Sequence, residues 1–185
     1  MTDAVQDVLE FWFAKDIARN WFSGGDAFDA TVKEHFGSTL QAAAAGQLEN
    51  WKETVDGRLA LVIVLDQFSR NIHRGDAATY ANDPAGLALA KHALRMGDDL
   101  WLKTYRPDDW RTFLYLPFMH SEDLEDQRLC LELLQMHGPE HGVAHARHHL
   151  DIVARFGRFP HRNAILGRDS TPEELVFMTV KEIVG

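Results

Sequence analysis

The stretch Leu59-Ala-Leu-Val-Ile-Val-Leu65 decides the fold class, because it is the longest apolar run in the chain. Three of its seven residues are β-branched, so a buried strand would have a similar composition. The apolar pattern continues from Leu65 to Phe68 and Ile72, a spacing that only a helix places on one face. No partner strand is apparent in the sequence, and a lone strand could not satisfy its backbone. The stretch therefore predicts a helix, and with it an all-α fold.

Helices are also predicted on both sides of this stretch. Apolar residues recur at helical spacing from Thr2 to Phe13, and a longer amphipathic pattern runs from Asp26 to Gly46. Further along, Asp83 is expected to cap a helix that has proline at its first position and ends at Gly97. Start and stop signals bound each pattern, so each is assigned to a separate helix.

The remaining sequence alternates between irregular and helical patterns. Residues 98 to 120 are aromatic and contain two prolines, and they are expected to be irregular. Ser121 is expected to cap a helix that runs toward Gly138, and another helix is expected from about Glu140 to Phe156. Thr171-Pro-Glu-Glu174 is a capping box with proline at the first helical position, which predicts a C-terminal helix.

These patterns add up to seven or eight helices in one domain over residues 1–185. The connections between them are short and marked by glycine or proline, which favours antiparallel neighbours. Antiparallel helices stack either as bundles or as solenoids of helix pairs. No low-complexity segment or linker marks a domain boundary.

Composition limits the compartment and the partners. The single cysteine, Cys130, cannot form an internal disulfide, and no apolar signal segment begins the chain, which indicates a cytoplasmic protein. Nineteen basic against 28 acidic residues give a formal charge of −9, which repels phosphate backbones, so we expect no nucleic-acid partner. The longest apolar run is far short of the roughly twenty residues that cross a bilayer as a helix, so we expect no membrane association.

One seven-residue pattern, Phe-x-Arg-x-x-His-Arg, occurs twice and carries the most distinctive polar chemistry. The copies are Phe68-Ser-Arg-Asn-Ile-His-Arg74 and Phe156-Gly-Arg-Phe-Pro-His-Arg162. Each copy follows a long apolar helix, and Asn71 and Asn163 add an amide to each. Side chains of this kind at two helix ends form a candidate site.

Two interpretations of the pattern stay open. Guanidinium groups hold carboxylates or phosphates bidentately, so the four arginines of the two copies could converge on one anion: Arg70, Arg74, Arg158 and Arg162. His73 and His161 could then titrate or donate. Alternatively, cationic side chains at a helix C-terminus bind the free carbonyls and oppose the negative end of the helix dipole. Four arginines in a protein of charge −9 exceed what capping two helices requires.

A second candidate constellation is His120-Ser-Glu-Asp123, which precedes a predicted helix. His120 would be a potential base beside Glu122, and the backbone N–H groups of the first helical turn could bind an anion. The alternative is an ordinary serine cap followed by acidic residues that the helix dipole favours. His120 falls outside that alternative.

Other candidate chemistry is weaker. His145 and His149 have the spacing of two metal ligands, but without a His-Glu-x-x-His sequence or a cysteine pair we assign no metal site. Asp66 lies four residues before Arg70, which predicts a helical salt bridge. Ser69 lies inside a predicted helix and outside any Gly-x-Ser-x-Gly elbow, so a serine nucleophile is not expected.

The whole chain resembles an uncharacterised bacterial family, domain-of-unknown-function family 924. Four segments and a short tail carry the resemblance: Val8-Leu-Glu-Phe-Trp-Phe13, Leu65-Asp-Gln-Phe-Ser-Arg-Asn71, Phe113-Leu-Tyr-Leu-Pro-Phe-Met-His-Ser-Glu-Asp-Leu124, Arg155-Phe-Gly-Arg-Phe-Pro-His-Arg-Asn163 and Leu166-Gly-Arg168. The resemblance implies a helical fold similar to tetratricopeptide repeats, with antiparallel helix pairs stacked in a superhelix. It implies no catalytic residue and no cofactor. The family pattern often has an aromatic residue at the position of His73, so His161 is the better candidate histidine.

Three functions compete on this evidence. The leading hypothesis is a binding module whose cavity receives an anionic small molecule or a peptide carboxylate. The rival is a hydrolase or transferase with His120 or His161 as general base and Glu122 as its partner. The third is a structural protein that self-associates through the aromatic surface from Trp101 to Trp110. The candidate ligand-binding residues are Arg70, Asn71, His120, Glu122, Arg158, His161, Arg162 and Asn163.

Overall fold

A computed structural model describes residues 4–179, and within that range every regular element is a helix. Residues 4–118 and residues 119–179 form two compact units. The assignment of residues 1–185 to one domain stays a prediction. No helix in the described range is both long and apolar enough to cross a membrane.

The first unit contains eight α-helices, the last of which ends one residue beyond it. They are α1 (Ala4–Trp12), α2 (Lys15–Ala18), α3 (Asp26–Ala44), α4 (Val55–Ile63), α5 (Ser69–Ile72), α6 (Asp83–Arg95), α7 (Asp98–Tyr105) and α8 (Asp108–Met119). Short 3₁₀ turns at Glu49–Glu53 and Ala77–Tyr80 complete it.

The central apolar stretch is helical, as its spacing predicted. Every residue from Gly57 to Ser69 is buried, so this helix is surrounded by protein on all faces. The sequence did not indicate that α4 continues through a π-helical turn, Val64–Phe68, into α5. Single π turns inside α-helices are rare, and those that do occur are often found at functional sites.

Aromatic side chains make up much of the core around this helix. The Phe68 ring lies edge-on to Trp12, with centroids 5.4 Å apart, and stacks on Phe36 at 4.8 Å. Trp12 also meets Phe113 edge-on at 5.6 Å. These four rings are buried, and such pairs stabilise a core by about 0.5–1.5 kcal/mol each beyond the burial of their area.

The second unit contains three α-helices and a short 3₁₀ turn. They are α9 (Leu124–His137), α10 (Glu140–Phe156), the 3₁₀ turn Pro160–Arg162 and α11 (Pro172–Thr179). Helices α9 and α10 pack against each other as a helical hairpin, and the bounds of α10 agree with its predicted range. The capping box of α11 is confirmed, because Thr171 N donates to Glu174 at 2.7 Å and Glu174 N donates to Thr171 Oγ1 at 3.2 Å.

The expectation that residues 98 to 120 are irregular was wrong, since they form α7 and most of α8. Pro107 directly precedes α8, where a missing N–H costs nothing. Pro117 lies in the last turn of α8, where burial of Phe113, Tyr115 and Phe118 compensates for its missing hydrogen bond. With these two helices and the short α2 and α5, the described residues hold more helical segments than the expected seven or eight.

Two predicted helix caps were also wrong. Asp123, not Ser121, caps α9, and its carboxylate accepts from the N–H groups of Glu125 and Asp126. The Ser121 hydroxyl instead accepts from Asp123 N and donates to Asp126. Because Asp123 occupies two first-turn N–H groups, the proposal that these groups are free to bind an anion does not hold. At α6 the cap position is Asn82, and Asp83 is already helical.

Candidate functional site

In the first copy of the pattern, the first arginine is held by carboxylates. The Arg70 guanidinium donates two N–H bonds to Asp83, at 2.9 and 3.0 Å, and lies 3.0 Å from an oxygen of Asp66. The Asp66–Arg70 salt bridge predicted from their spacing is therefore confirmed. The same guanidinium donates to the backbone carbonyl of Asp66 at 2.9 Å. Burial opposes the charge of Arg70, but the two carboxylates outweigh it and raise its pKa.

Two further polar side chains of the first copy, Asn71 and Arg74, converge on Asp29 of α3. Asn71 Nδ2 donates to Asp29 Oδ1 at 2.8 Å, and Arg74 binds both carboxylate oxygens at 2.5 and 3.0 Å. Burial would raise the pKa of Asp29, but these bonds lower it. The first copy thus brings two guanidinium groups together with three carboxylates, a local balance that does not favour a further anion.

In the second copy, the first arginine is also held by a carboxylate in the first turn of a later helix. Arg158 donates to both oxygens of Glu174, at 2.6 and 2.8 Å, just as Arg70 does to Asp83 at the start of α6. Asn163, which is fully buried, donates to Glu174 and Ser170. The bonds from Arg158 above all lower the pKa of Glu174 to about 2, so this carboxylate stays charged.

The side chains of Glu122 and Arg168 both hydrogen-bond to the backbone of Phe159. Arg168 binds both oxygens of Glu122 at 2.7 and 3.0 Å and also donates to Phe159 O and to Asn163 Oδ1. Phe159 N donates to Glu122 at 2.8 Å. Burial would raise the pKa of Glu122, but these donors outweigh it and lower the pKa. Glu122 is therefore an ionised, fully engaged side chain.

The Phe159 ring is the centre of a group that we call the Phe159 cluster: His149, Phe159, His161 and Arg162. The ring is 1% exposed. Its centroid lies 5.3 Å from that of His149 and 5.6 Å from that of His161, and the Arg162 Cζ lies 4.4 Å from it. Arg162 and His149 are buried, whereas His161 is exposed. The cluster therefore presents one imidazole to solvent above a buried guanidinium.

Both imidazoles of the Phe159 cluster are held neutral. Burial lowers the pKa of His149 to about 3, and His149 Nδ1 lies 3.2 Å from the carbonyl of Met119. Desolvation, followed by the charge of Arg162, lowers the pKa of His161 to about 4, against an opposing contribution from Glu122. His120 lies close enough for its charge to lower both pKa values.

Within residues 119–179, the structure brings together six predicted site residues: His120, Glu122, Arg158, His161, Arg162 and Asn163. The other two, Arg70 and Asn71, lie in the first unit and bind carboxylates there. The roles of Phe159 and Glu174 were missed, and the capping box was the only local signal that pointed to Glu174.

The helix-end explanation of the arginines holds only in part. Arg70 does donate to a carbonyl of its own helix, but its main partners, like those of Arg74 and Arg158, are carboxylates. Among residues 4–179, no group of three or more His, Cys, Asp or Glu side chains is arranged to hold a metal ion. His145 is exposed and His149 is buried, so the two face different surroundings.

Comparison with known proteins gives a family and a structural relative. A family model described as a bacterial protein of unknown function, DUF924, matches residues 8–182. A solved structure of a protein of unknown function from Agrobacterium tumefaciens is similar to this chain, with 42% sequence identity and a TM-score of 0.87. That match covers 95% of this chain and 96% of the other. No curated protein matches.

Proposed function

We propose, from the geometry of the Phe159 cluster, that this protein binds an anionic ligand. The chain belongs to the bacterial family of unknown function DUF924, and the description of that family specifies no activity. The ligand is a small molecule or peptide that presents a carboxylate or phosphate. The observation that carries the proposal is the exposed, neutral imidazole of His161 beside Arg162.

A neutral imidazole next to a guanidinium suits an anion for two reasons. Its N–H group donates a hydrogen bond, and an anion close to it would stabilise the protonated ring and raise its pKa. Binding would then be coupled to proton uptake, and the new bond would become a charge-assisted one. His120, whose charge acts on His161, supplies a second donor in the same region.

The remaining polar residues act through their neighbours. Arg158 and Asn163 bind Glu174, and Glu122 binds Arg168, so we assign these three a positioning role rather than ligand contact. The ligand-contacting set is then His120, His161 and Arg162. Arg70 and Asn71 have a positioning role in the first unit, where three carboxylates surround the pattern.

The pKa of His161 favours a binding protein over a hydrolase or transferase that uses His161 as its general base. General acid–base catalysts work best when their pKa lies near the working pH. A histidine with a pKa of about 4 is a weak base at neutral pH and carries almost no transferable proton.

The cellular setting is part of the same proposal. A cytoplasmic location is supported by the single cysteine, Cys130, which is buried and has no second cysteine in the sequence with which to form a disulfide. A superhelical, tetratricopeptide-like arrangement is supported only by the helical hairpin of α9 and α10. The net charge of −9 argues against nucleic acid as a partner.

The test is a titration of the protein with inorganic phosphate and with an acetylated dipeptide carboxylate, followed by NMR of the histidine side chains. We expect the pKa of His161 to rise by about one unit or more, and His161→Gln to weaken binding about tenfold, the usual loss when a charged hydrogen bond is removed. The matched control is His145→Gln, because His145 is also exposed and lies outside the Phe159 cluster.

The outcomes separate the hypotheses. If neither probe shifts His161, or if His161→Gln binds both probes as tightly as wild type, the proposed site is wrong. Turnover of phosphate esters or peptides that disappears in His161→Gln but not in His145→Gln would replace the binding function with an enzymatic one.

A further inference from the structure

A second candidate site of opposite charge lies in the first unit, in a groove between α1 and α3 that we call the Phe11 groove. Its lining consists of Ala4, Asp7, Glu10 and Phe11 from α1 and His35, Phe36 and Thr39 from α3. The groove has a volume of about 450 Å³, within the range of small-molecule sites. It shares no residue with the anion site proposed above.

The floor of the groove is aromatic. The His35 ring stacks on Phe11 with centroids 5.6 Å apart and planes 26° from parallel, and Phe36 meets Phe11 edge-on at 4.9 Å. Phe36 is buried, whereas Phe11 is partly exposed and His35 is exposed. His35 Nδ1 also contacts the carbonyl of Thr31 at 2.9 Å, which fixes the ring against the helix. An aromatic ring that is partly exposed attracts cations through its quadrupole wherever its π face is accessible.

The charge of the groove is negative. Asp7 and Glu10 lie three residues apart on α1 and therefore on one helix face. Neither carboxylate makes an ion pair or a side-chain hydrogen bond with any residue from 4 to 179. This distinguishes them from Asp29, Asp66 and Asp83 in the same unit, each of which is held by an arginine.

We propose that the Phe11 groove binds a guanidinium group, as carried by an arginine side chain of a peptide partner. A guanidinium is planar, so it can stack on an aromatic face while its edge donates to carboxylates. An ammonium group would satisfy the same charge but is more strongly hydrated and does not stack. The negative charge of the whole protein attracts such a ligand at long range.

A less specific explanation exists for one of the two carboxylates. Asp7 lies in the first turn of α1, where a negative charge stabilises the helix dipole whatever its other contacts. Glu10 lies beyond that turn and is exposed, so the dipole does not account for it. The test therefore depends on Glu10 as much as on Asp7.

The experiment uses the full chain and three probes: N-acetyl-arginine N-methylamide, its citrulline analogue and its lysine analogue. The citrulline probe keeps the shape of arginine and removes the charge. Binding is followed by NMR chemical shifts of the backbone amides of Phe11 and His35. For a probe of this size we expect a dissociation constant on the order of 1 mM for arginine. The lysine probe should bind more weakly, and the citrulline probe about tenfold more weakly.

The protein variant is Asp7→Asn combined with Glu10→Gln, which removes both charges and keeps the side-chain shapes. It should weaken arginine binding about tenfold and leave citrulline binding unchanged. The control is Asp16→Asn combined with Glu53→Gln, which removes two exposed carboxylates outside the groove and should change neither. Circular dichroism of both variants checks that they stay folded.

Four results would overturn the proposal. Equal binding of arginine and citrulline would show that charge is not recognised, and stronger binding of lysine would show that the guanidinium is not. Arginine binding that survives in the Asp7→Asn, Glu10→Gln variant, or shifts confined to residues outside the groove, would place the ligand elsewhere. Phosphate binding at the Phe159 cluster is measured in the same variant, so failure of one site is distinguishable from failure of the other.

Discussion

Acidification should destabilise the folded protein through His149, whose imidazole is buried and neutral. The pKa of this side chain is about 3 in the folded protein, because burial disfavours its charged form. In the unfolded chain a histidine has a pKa of about 6.5. Between these two values the unfolded chain binds a proton that the folded protein does not, so the free energy of unfolding falls as the pH falls from about 6.5 toward 3.

The size of the effect at moderate pH depends mainly on the unfolded state. At pH 5 an unfolded histidine is almost fully protonated, whereas His149 in the folded protein is almost fully neutral. The linkage relation then gives a loss of about 2 kcal/mol between pH 8 and pH 5 from this residue alone. A loss of that size is a large part of the usual stability of a domain.

The assay is urea unfolding at pH 8 and pH 5, monitored by circular dichroism, for wild type and two variants. His149→Gln keeps an N–H group that can donate to the Met119 carbonyl but does not titrate, so it should lose about 2 kcal/mol less than wild type between the two pH values. His145→Gln replaces an exposed histidine and should behave as wild type. If wild type and His149→Gln lose the same free energy, or if NMR finds that His149 titrates near pH 6, the account of this residue is wrong.

Three further predictions concern buried groups and a helix cap. Asp98→Asn leaves the buried charge of Arg58 without its bidentate partner and should lower the free energy of unfolding by about 3 kcal/mol, measured by urea unfolding; a loss under about 1 kcal/mol would contradict it. Asp123→Ala removes the cap of α9 and should cost about 1 kcal/mol in the same assay, whereas an unchanged midpoint would show that the cap is dispensable. Cys130 is buried, and burial raises the pKa of its thiol to about 12, so a thiol reagent at pH 8 should label it rapidly only after denaturation; rapid labelling of the folded protein would refute this.

Local patterns in the sequence were sufficient to predict most helices. The central helix follows from a periodicity that extends over a few turns, and the capping box of α11 follows from two residues three apart. The π-helical turn at Val64–Phe68 could not be predicted, because it depends on how neighbouring helices pack against an apolar segment. The prolines of residues 98 to 120 led to the wrong prediction of an irregular segment for the same reason. Burial of large side chains outweighed the loss of the backbone hydrogen bond that proline cannot make.

The candidate site was predicted only as far as its residue types. Arg74 pairs with Asp29, 45 residues away, and Arg168 with Glu122, 46 residues away. No single-sequence pattern identifies partners at such distances. Of the ion pairs described above, the Asp66–Arg70 pair was accessible to sequence reasoning, because its two residues lie four apart and helical geometry alone brings their side chains together.

The two copies of the repeated pattern share the role of their first arginine but differ in their final His-Arg pair, and this difference bears on function. In both copies the first arginine binds a carboxylate in the first turn of a later helix: Arg70 binds Asp83, and Arg158 binds Glu174. The helix dipole also favours negative charge at these positions. That shared contact ties two elements together and needs no ligand to explain it. The final His-Arg pair differs between the copies, because Arg74 is exposed and bound to Asp29 whereas Arg162 is buried against Phe159.

The shared contact of the first arginine does not account for the last two residues, which differ between the two copies. In the second copy, desolvation and then the charge of the buried Arg162 guanidinium lower the pKa of His161, so its imidazole is protonated less readily than that of a free histidine. An anion that binds there would restore that protonation. The first arginine of each copy has a structural role, and the binding role that we propose falls to His161 and Arg162.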